Sequence, residues 1–460
     1  MNSEKTIKDR WWTLNAKRES KLNKSRACSA LTVPTLLPYQ SLSGEDNLFQ
    51  TYSSVQSRGV TSLASKILSV LIPLNDTPFF TFGLKNGREP TPEIAEYLSK
   101  LSFQVYRKLI SNNLREISYL AMQHLIVIGD VLIVMENDFS FRVIRLDQFV
   151  VRRDVNGAVK EFIYLEYISP SNEEPASAYD FIAGEENQTG FKTVYVRVFQ
   201  NEENLWEVHK ELEGQLIDKG FYSVLPYVLL RWASVAGEDY GRSLVEECIG
   251  DLCSLEELSR AVTEGGLISC KTVFLVNPNG TTRASAIAKA RNGDTVPGNP
   301  NDVAPLESGK SRDYATGYQL IQLIERRLSY VFLLAESYQR DAERVTAEEI
   351  RMMAEELEKN LGGTYSVLAE TLMAPLARCL MRIFSSELTN VLDGIVEPVI
   401  TTGLDAIGRG NDKQRLLMFM TSCSQALTPA GFAQYVNPSE LIRRLRSEEH
   451  TSELQSRFGI

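Results

Sequence analysis

Two long segments with a single apolar stripe, separated by a compact insert, constrain this chain more than anything else in it. Ser243–Thr263 reads as one helix, with Ser243 and Glu246 in the spacing of a capping box. Gln319–Ala342 reads as the other, with apolar residues at 320, 323, 324, 328, 331 and 332 on one face. Between them, residues 264–318 hold a short strand at Lys271–Val276, a turn at Asn277–Gly280, a short helix near Ala284–Ala290 and a Gly/Pro/Asn-rich loop at 292–301. A lone pair of such helices leaves much of its stripe in water, so neighbouring copies of the chain are its natural cover.

The 460 residues are long enough for about three domains. A 43% apolar and 23% charged composition is ordinary for a globular protein and excludes a disordered polymer or fibre. No apolar run reaches the ~18–20 residues of a membrane span, and no secretory signal is visible at the N-terminus. The best apolar run, Leu125–Met135, is broken by Gly129-Asp130 and reads as a buried strand. Six scattered cysteines have no metal-like spacing, which fits free thiols in a reducing compartment.

Upstream of the first long helix the pattern is mixed. Val60–Leu71, Glu93–Ile110 and Leu114–Ile128 have helical periodicity. Pro78-Phe79-Phe80 opens a strand. Asp130–Glu136, Phe141–Leu146, Phe149–Arg153, Phe162–Ile168 and Thr193–Phe199 read as further strands, with a hairpin turn at Asn156-Gly157. The first 26 residues carry eight basic residues against three acids. They read as a solvated helix, with a nucleic-acid arm as the alternative. Downstream, a second capping box (Thr346, Glu349) starts a helix that runs to Gly362-Gly363, and Tyr365–Phe384 continues as helix. The chain as a whole is α+β and mainly helical.

Enzyme chemistry finds little support. His124 lies in an apolar run as a core residue and His209 on a polar strand, so no zinc site, other metal or cofactor is expected. Ser308-Gly309-Lys310-Ser311 resembles the end of a phosphate-binding loop, but Ala304 stands where the leading glycine belongs. A nucleotide-dependent α/β enzyme using Gly309-Lys310-Ser311 is one alternative, and a helical scaffold without any DNA conduit is another. A net charge of −10 argues against a broad, tightly gripping nucleic-acid surface. Arg446–Ser456, RSEEHTSELQS, back-translates to a common sequencing adapter. Residues 446–460 are therefore set aside as an artefact, with the natural C-terminus expected beyond Leu445.

Four segments occur in a telling order. They are Gln56-Ser57-Arg58-Gly59-Val60 with Leu63-Ala64-Ser65-Lys66 and Pro78-Phe79-Phe80; Gly237-Glu238-Asp239-Tyr240-Gly241-Arg242-Ser243 leading to Gly250-Asp251-Leu252; Gln339–Arg351 continued by Glu355-Glu356-Leu357 and Leu361–Ser366; and Thr402–Gly410. With them, residues 5–445 resemble the portal, or head-to-tail connector, proteins of short-tailed (podovirus, T7-like) bacteriophages.

The resemblance implies a ring, usually of twelve copies, at one capsid vertex, through which double-stranded DNA enters during packaging and leaves during ejection. It implies a wing (1–242), stem helices (243–263 and 319–342), a clip (264–318), and a channel loop, wing helix and truncated crown within 343–445. The clip would dock the terminase large subunit and later the tail adaptor, and the major capsid and scaffolding proteins would surround the ring. Gln339, Arg340 and Arg344 become DNA-facing channel residues, and Leu320, Leu323, Ile324 and Leu328 the subunit-interface stripe of the stem. The implied location is the virion, reached from the host cytoplasm during assembly, with no membrane role.

Overall fold

The computed structural model describes residues 6–39, 50–72, 78–84, 92–136, 140–168, 192–201, 205–222, 224–269, 274–291, 293–305, 311–334, 359, 367–368, 371–378 and 396–400. The chain divides into two compact units rather than three: Met1–Lys66 with Asn112–Ala342, and Ile67–Ser111 with Glu343–Ile460. Its elements are α helices and antiparallel sheets, as an α+β chain requires.

The first unit is built on a five-stranded meander. Strands β4 (Phe149–Arg153), β5 (Val159–Ile168), β6 (Lys192–Gln200), β7 (Trp206–Leu212) and β8 (Gln215–Tyr222) pair in sequence order. Alternation sends successive side chains of β5 to opposite faces. Phe162 and Tyr164 meet Tyr227 of a second sheet, with ring centroids 5.5 and 5.6 Å apart. Ile163 joins Val150 and Tyr195 on the other face, under a helix. The second sheet has the order β3 (Phe141–Ile144), β2 (Asp130–Met135), β9 (Tyr227–Arg231). β2 is buried along its whole length because it is central. The apolar run Leu125–Met135 is therefore not one strand. Its first three residues end helix α4 (Leu114–Val127), and Gly129, at φ +93°, turns the chain into β2.

Helix α1 (Ile7–Leu31) is the helix expected at the basic N-terminus, with one face solvated and the other docked on the sheet rather than held out as a free arm. Ile7, Trp11 and Leu14 pack on the meander. Thr6 caps the helix by accepting from Asp9 N at 3.1 Å. Glu211, a buried carboxylate on β7, accepts from the Ile7 and Lys8 amides at 2.6 and 3.2 Å, where the helix dipole favours an anion. Arg10 and Arg18 turn inward, while Lys8, Lys17 and Lys24 stay exposed. Arg18 is buried and donates to the Leu146 and Phe149 carbonyls. Arg10 binds Glu161 on β5, a carboxylate 2% exposed that also receives Arg197 at 2.6 Å and Arg152 at 3.6 Å. Burial works to raise the Glu161 pKa, yet the facing arginines hold it below the usual carboxylate range.

After β9 the chain forms the short helix α5 (Leu244–Glu247) and the long helix α6 (Ile249–Ser269). The insert then contributes β10 (Phe274–Val276), α7 (Ala284–Lys289) and β11 (Val303–Pro305), with β10 and β11 antiparallel. Asp302 stitches it together by accepting from the Thr281 and Thr282 amides at 2.8 and 3.2 Å and from both threonine hydroxyls. The insert has little core: Phe274 and Leu275 are about half exposed, and α7 buries no residue. α8 (Ser311–Val331) closes the unit. It begins earlier and ends sooner than the expected Gln319–Ala342. Ser311 is its first residue, and Gly309 and Lys310 lie outside the described residues.

The second unit pairs β1 (Phe80–Leu84) with β12 (Val396–Ile400), antiparallel, beside α3 (Pro92–Ser111). Phe79, Phe80, Phe82 and Tyr106 make edge-to-face contacts at 5.0–6.1 Å, and Ser102 Oγ receives the Phe82 amide. Residues 371–378 are helical and bury Leu372, Met373, Leu376 and Ala377. The helix expected from Thr346 to Gly362-Gly363 falls outside the described residues apart from Lys359.

Candidate functional site

The α6–α8 pair and the residues that root it form the site. α6 turns Leu252 and Leu255 inward, and α8 turns Ile321, Ile324 and Leu328 inward, at the three- and four-residue steps of one helix face. Two glycines allow close approach. A Cβ on Gly265 would sit 2.3 Å from the Tyr314 ring, and one on Gly317 would sit 3.0 Å from Val262. Arg327 adds an ion pair to Asp251 at 3.1 Å.

The expected interface stripe is divided by this packing. Ile324 and Leu328 are 5% and 0% exposed, held on α6 within one chain, whereas Leu320 and Leu323 are 44% and 55% exposed. Tyr318, Tyr330 and Leu267 are exposed apolar residues of the same two helices. A dry seam inside the pair and a wet apolar face outside it therefore coexist. Periodicity alone merged the two, because their residues interleave every three or four positions. Gln339, Arg340 and Arg344 lie outside the described residues.

The root of the pair is the segment Gly237–Ser243, whose function as a joint was not visible in the sequence. Asp239 accepts from the Arg153 amide at 2.7 Å, and the Tyr240 hydroxyl from the Val151 amide at 3.2 Å. Together they close the β4 edge of the meander. The Gly241 amide donates to both Asp130 carboxylate oxygens at 3.0 and 2.9 Å. A Cβ on Gly241 would stand 2.7 Å from the Gly129 carbonyl, so two backbones touch here. Ser243 Oγ accepts from the Glu246 amide at 3.0 Å and caps α5. The Glu246 carboxylate does not complete the capping box. It binds Lys21 of α1 at 2.9 Å and Arg242 at 2.8 Å, and these cations hold its pKa low against the effect of burial. Both sheets and α1 thus meet where the helix pair begins. The partners Asp130, Lys21 and Val151 lie far away in sequence, so no local signal announces them.

Two buried titratable groups flank Gly129. Burial raises Asp130 to about 7, opposed by Lys21, the Gly241 amide, Arg153 and Arg231. Burial and Arg145 lower His124 to about 4, opposed by Asp147. His124 is a core residue as expected, with Nδ1 left without a hydrogen-bond partner. His209 is more enclosed than expected, pairing with Glu207 at 3.1 Å against the Phe199 ring.

These shifts give opposite slopes. Unfolded Asp titrates near 3.9, so the native state holds the extra proton between about pH 4 and 7 and Asp130 lowers stability as pH rises there. Unfolded His titrates near 6.5, so His124 lowers stability as pH falls from about 6.5 to 4. Asp130→Asn keeps an acceptor for Gly241 and removes only the first slope. Relative to the parent chain, it should gain about 1.4 kcal/mol per unit between pH 5 and 7 in urea unfolding. An identical difference at both pH values would show that Asp130 does not titrate in this range.

Among the described residues no group of three His, Cys, Asp or Glu side chains could hold a metal ion, and no helix is long and apolar enough to cross a membrane.

A family described as bacteriophage head to tail connecting protein matches residues 4–448. The portal protein of Enterobacteria phage T3 is 35% identical over 408 residues, covering 85% of this chain and 76% of that protein. The portal protein of Escherichia phage T7 is 33% identical over 426 residues, covering 88% and 79%. Among solved structures, the neck of an empty gene transfer agent particle aligns with a TM-score of 0.43 at 13% identity, over 84% of this chain and 88% of that one.

Proposed function

Because the chain belongs to the bacteriophage head to tail connecting family and is a portal protein, a component of the phage head–tail junction, we propose that copies of it close into a ring whose central channel passes double-stranded DNA. The observation that carries this reading is the wet apolar face of the α6–α8 pair, with Tyr318, Leu320, Leu323 and Tyr330 exposed on α8. A single chain offers this face no cover among its described residues, and a cyclic neighbour does.

On this reading α6 and α8 are the stem, and the insert between them is the clip. The clip's thin core suits an element that firms up against neighbours, the terminase large subunit and, later, the tail adaptor. Residues 1–242 form most of the wing, beside the major capsid and scaffolding proteins, and 343–445 hold the channel loop, a wing helix and the start of the crown. Gln339, Arg340 and Arg344 face DNA. Assembly takes place in the host cytoplasm, and the ring ends at the portal vertex of the virion.

A conduit must let DNA slide, so it needs few fixed cations on an otherwise non-basic wall. A net charge of −10 per copy suits that requirement. No observation favours a nucleotide-dependent enzyme or a scaffold without a channel.

Electron micrographs of the full chain should show end-on rings with a central opening. Charge reversal of Arg340 and Arg344 should preserve the rings and reduce the DNA retained in filled heads. A chain that stays monomeric would overturn the ring, and unchanged retention would remove the two arginines from the channel.

A further inference from the structure

α8 stops without a stop signal. Residues 332–342 contain neither glycine nor proline, and their Leu, Ala, Glu, Gln and Arg residues favour helix, yet the helix ends at Val331. Leu333 lies in the left-handed region at φ 52°, unusual for a residue with a side chain. Its amide bonds back to the Tyr330 carbonyl at 3.3 Å, and the Leu334 amide to the Ser329 carbonyl at 2.8 Å.

What ends the helix comes from α2 (Val55–Leu71). Lys66 Nζ donates to the Leu333 carbonyl, the acceptor that a continuing helix would offer to its own next turn. Phe332 is fully buried against Gly59, where an added Cβ would come within 2.7 Å of its ring. Gly59 and Lys66 belong to the Gln56–Val60 and Leu63–Lys66 segments that carry the first family resemblance.

We propose that α2 latches the end of α8, with Gly59 and Lys66 as positioning residues that set where the stem helix ends in the channel wall. This rests on the conduit reading above. Gly59 supplies the close approach, Phe332 the packing, and Lys66 a charged donor at the carbonyl where the helix breaks. Without the donor, helix propensity carries α8 past Val331.

The test uses rings of the full chain and three variants: Lys66→Met, Lys66→Arg and Gly59→Ala. Amide hydrogen exchange of Leu333 and Leu334 should slow about tenfold or more in Lys66→Met and return in Lys66→Arg, while α6 is unchanged. DNA retained in filled heads should fall in Lys66→Met and recover in Lys66→Arg. Gly59→Ala displaces Phe332 and should shift exchange at the same residues, which keeps the latch testable if Lys66→Met folds poorly. Exchange identical to the parent in Lys66→Met and Gly59→Ala overturns the latch. Altered exchange with parental DNA retention overturns the positioning role. Parent rings that hold no DNA would refute the conduit reading, and the exchange result would still decide the latch.

Discussion

Glu161→Gln should lower the unfolding free energy by about 1.5–3 kcal/mol, the worth of hydrogen bonds to a charged group, because solvent partly reaches the arginines left behind. In the native chain this carboxylate lies against Arg10, Arg152 and Arg197 from three elements. Glutamine retains the shape and one acceptor, but leaves three guanidinium groups facing one another near the meander. The loss should loosen α1, since the Arg10 contact is part of its attachment to the sheet. Urea unfolding measures the change, and a midpoint shift worth under 1 kcal/mol would mean that solvent screens the cluster. The pH dependence is also fixed. The folded Glu161 pKa lies below its unfolded value, so its contribution is complete above about pH 4.3 and lost as pH falls through the folded value. Glu161→Gln should therefore differ most from the parent at neutral pH and converge on it in acid.

Leu323→Asp and Leu328→Asp should fail in opposite ways although they lie five residues apart on one helix. Leu323 is 55% exposed in the single chain, so aspartate there should change the melting of the monomer by no more than about 0.5 kcal/mol. In a ring the same aspartate meets a neighbour's apolar surface and costs several kcal/mol per interface, enough to leave monomers by sedimentation. Leu328 is fully buried on α6, and its aspartate places the charge inside the chain. That variant should lose several kcal/mol of monomer stability before assembly is attempted. Normal rings from Leu323→Asp would show that the exposed face is not the subunit interface.

The sequence was most informative where one face repeats. α3, α4, β2, β4 and β6 follow from periodicity to within a residue or two. β8 and β9 escaped. β8 is an edge strand with five consecutive exposed residues, so no in–out alternation marks it, and β9 is a short run just after Pro226. The docked face of α1 escaped because Arg18, Ser25 and Ser29 occupy it, so polarity there signals specific hydrogen bonds rather than water. The helix pair was legible as a pair, but its division into an inner seam and an outer face was not. The joint at Gly237–Ser243 showed as a motif without showing what it joins, since each of its contacts to the sheets and α1 crosses a long sequence separation.

The pairing of β1 with β12 bears on how the chain is made. Phe80 lies opposite Ile400, so the two-stranded sheet of the second unit cannot close until about 320 further residues have been added. All of the first unit's later portion, Asn112–Ala342, emerges in that interval. It can fold while Phe79, Phe80 and Phe82 wait for their partner strand. Those aromatic residues are then a nascent-chain hazard, without their partner strand until Val396–Ile400 is made. Ribosomal pausing or chaperone capture should matter most before Val396 is added.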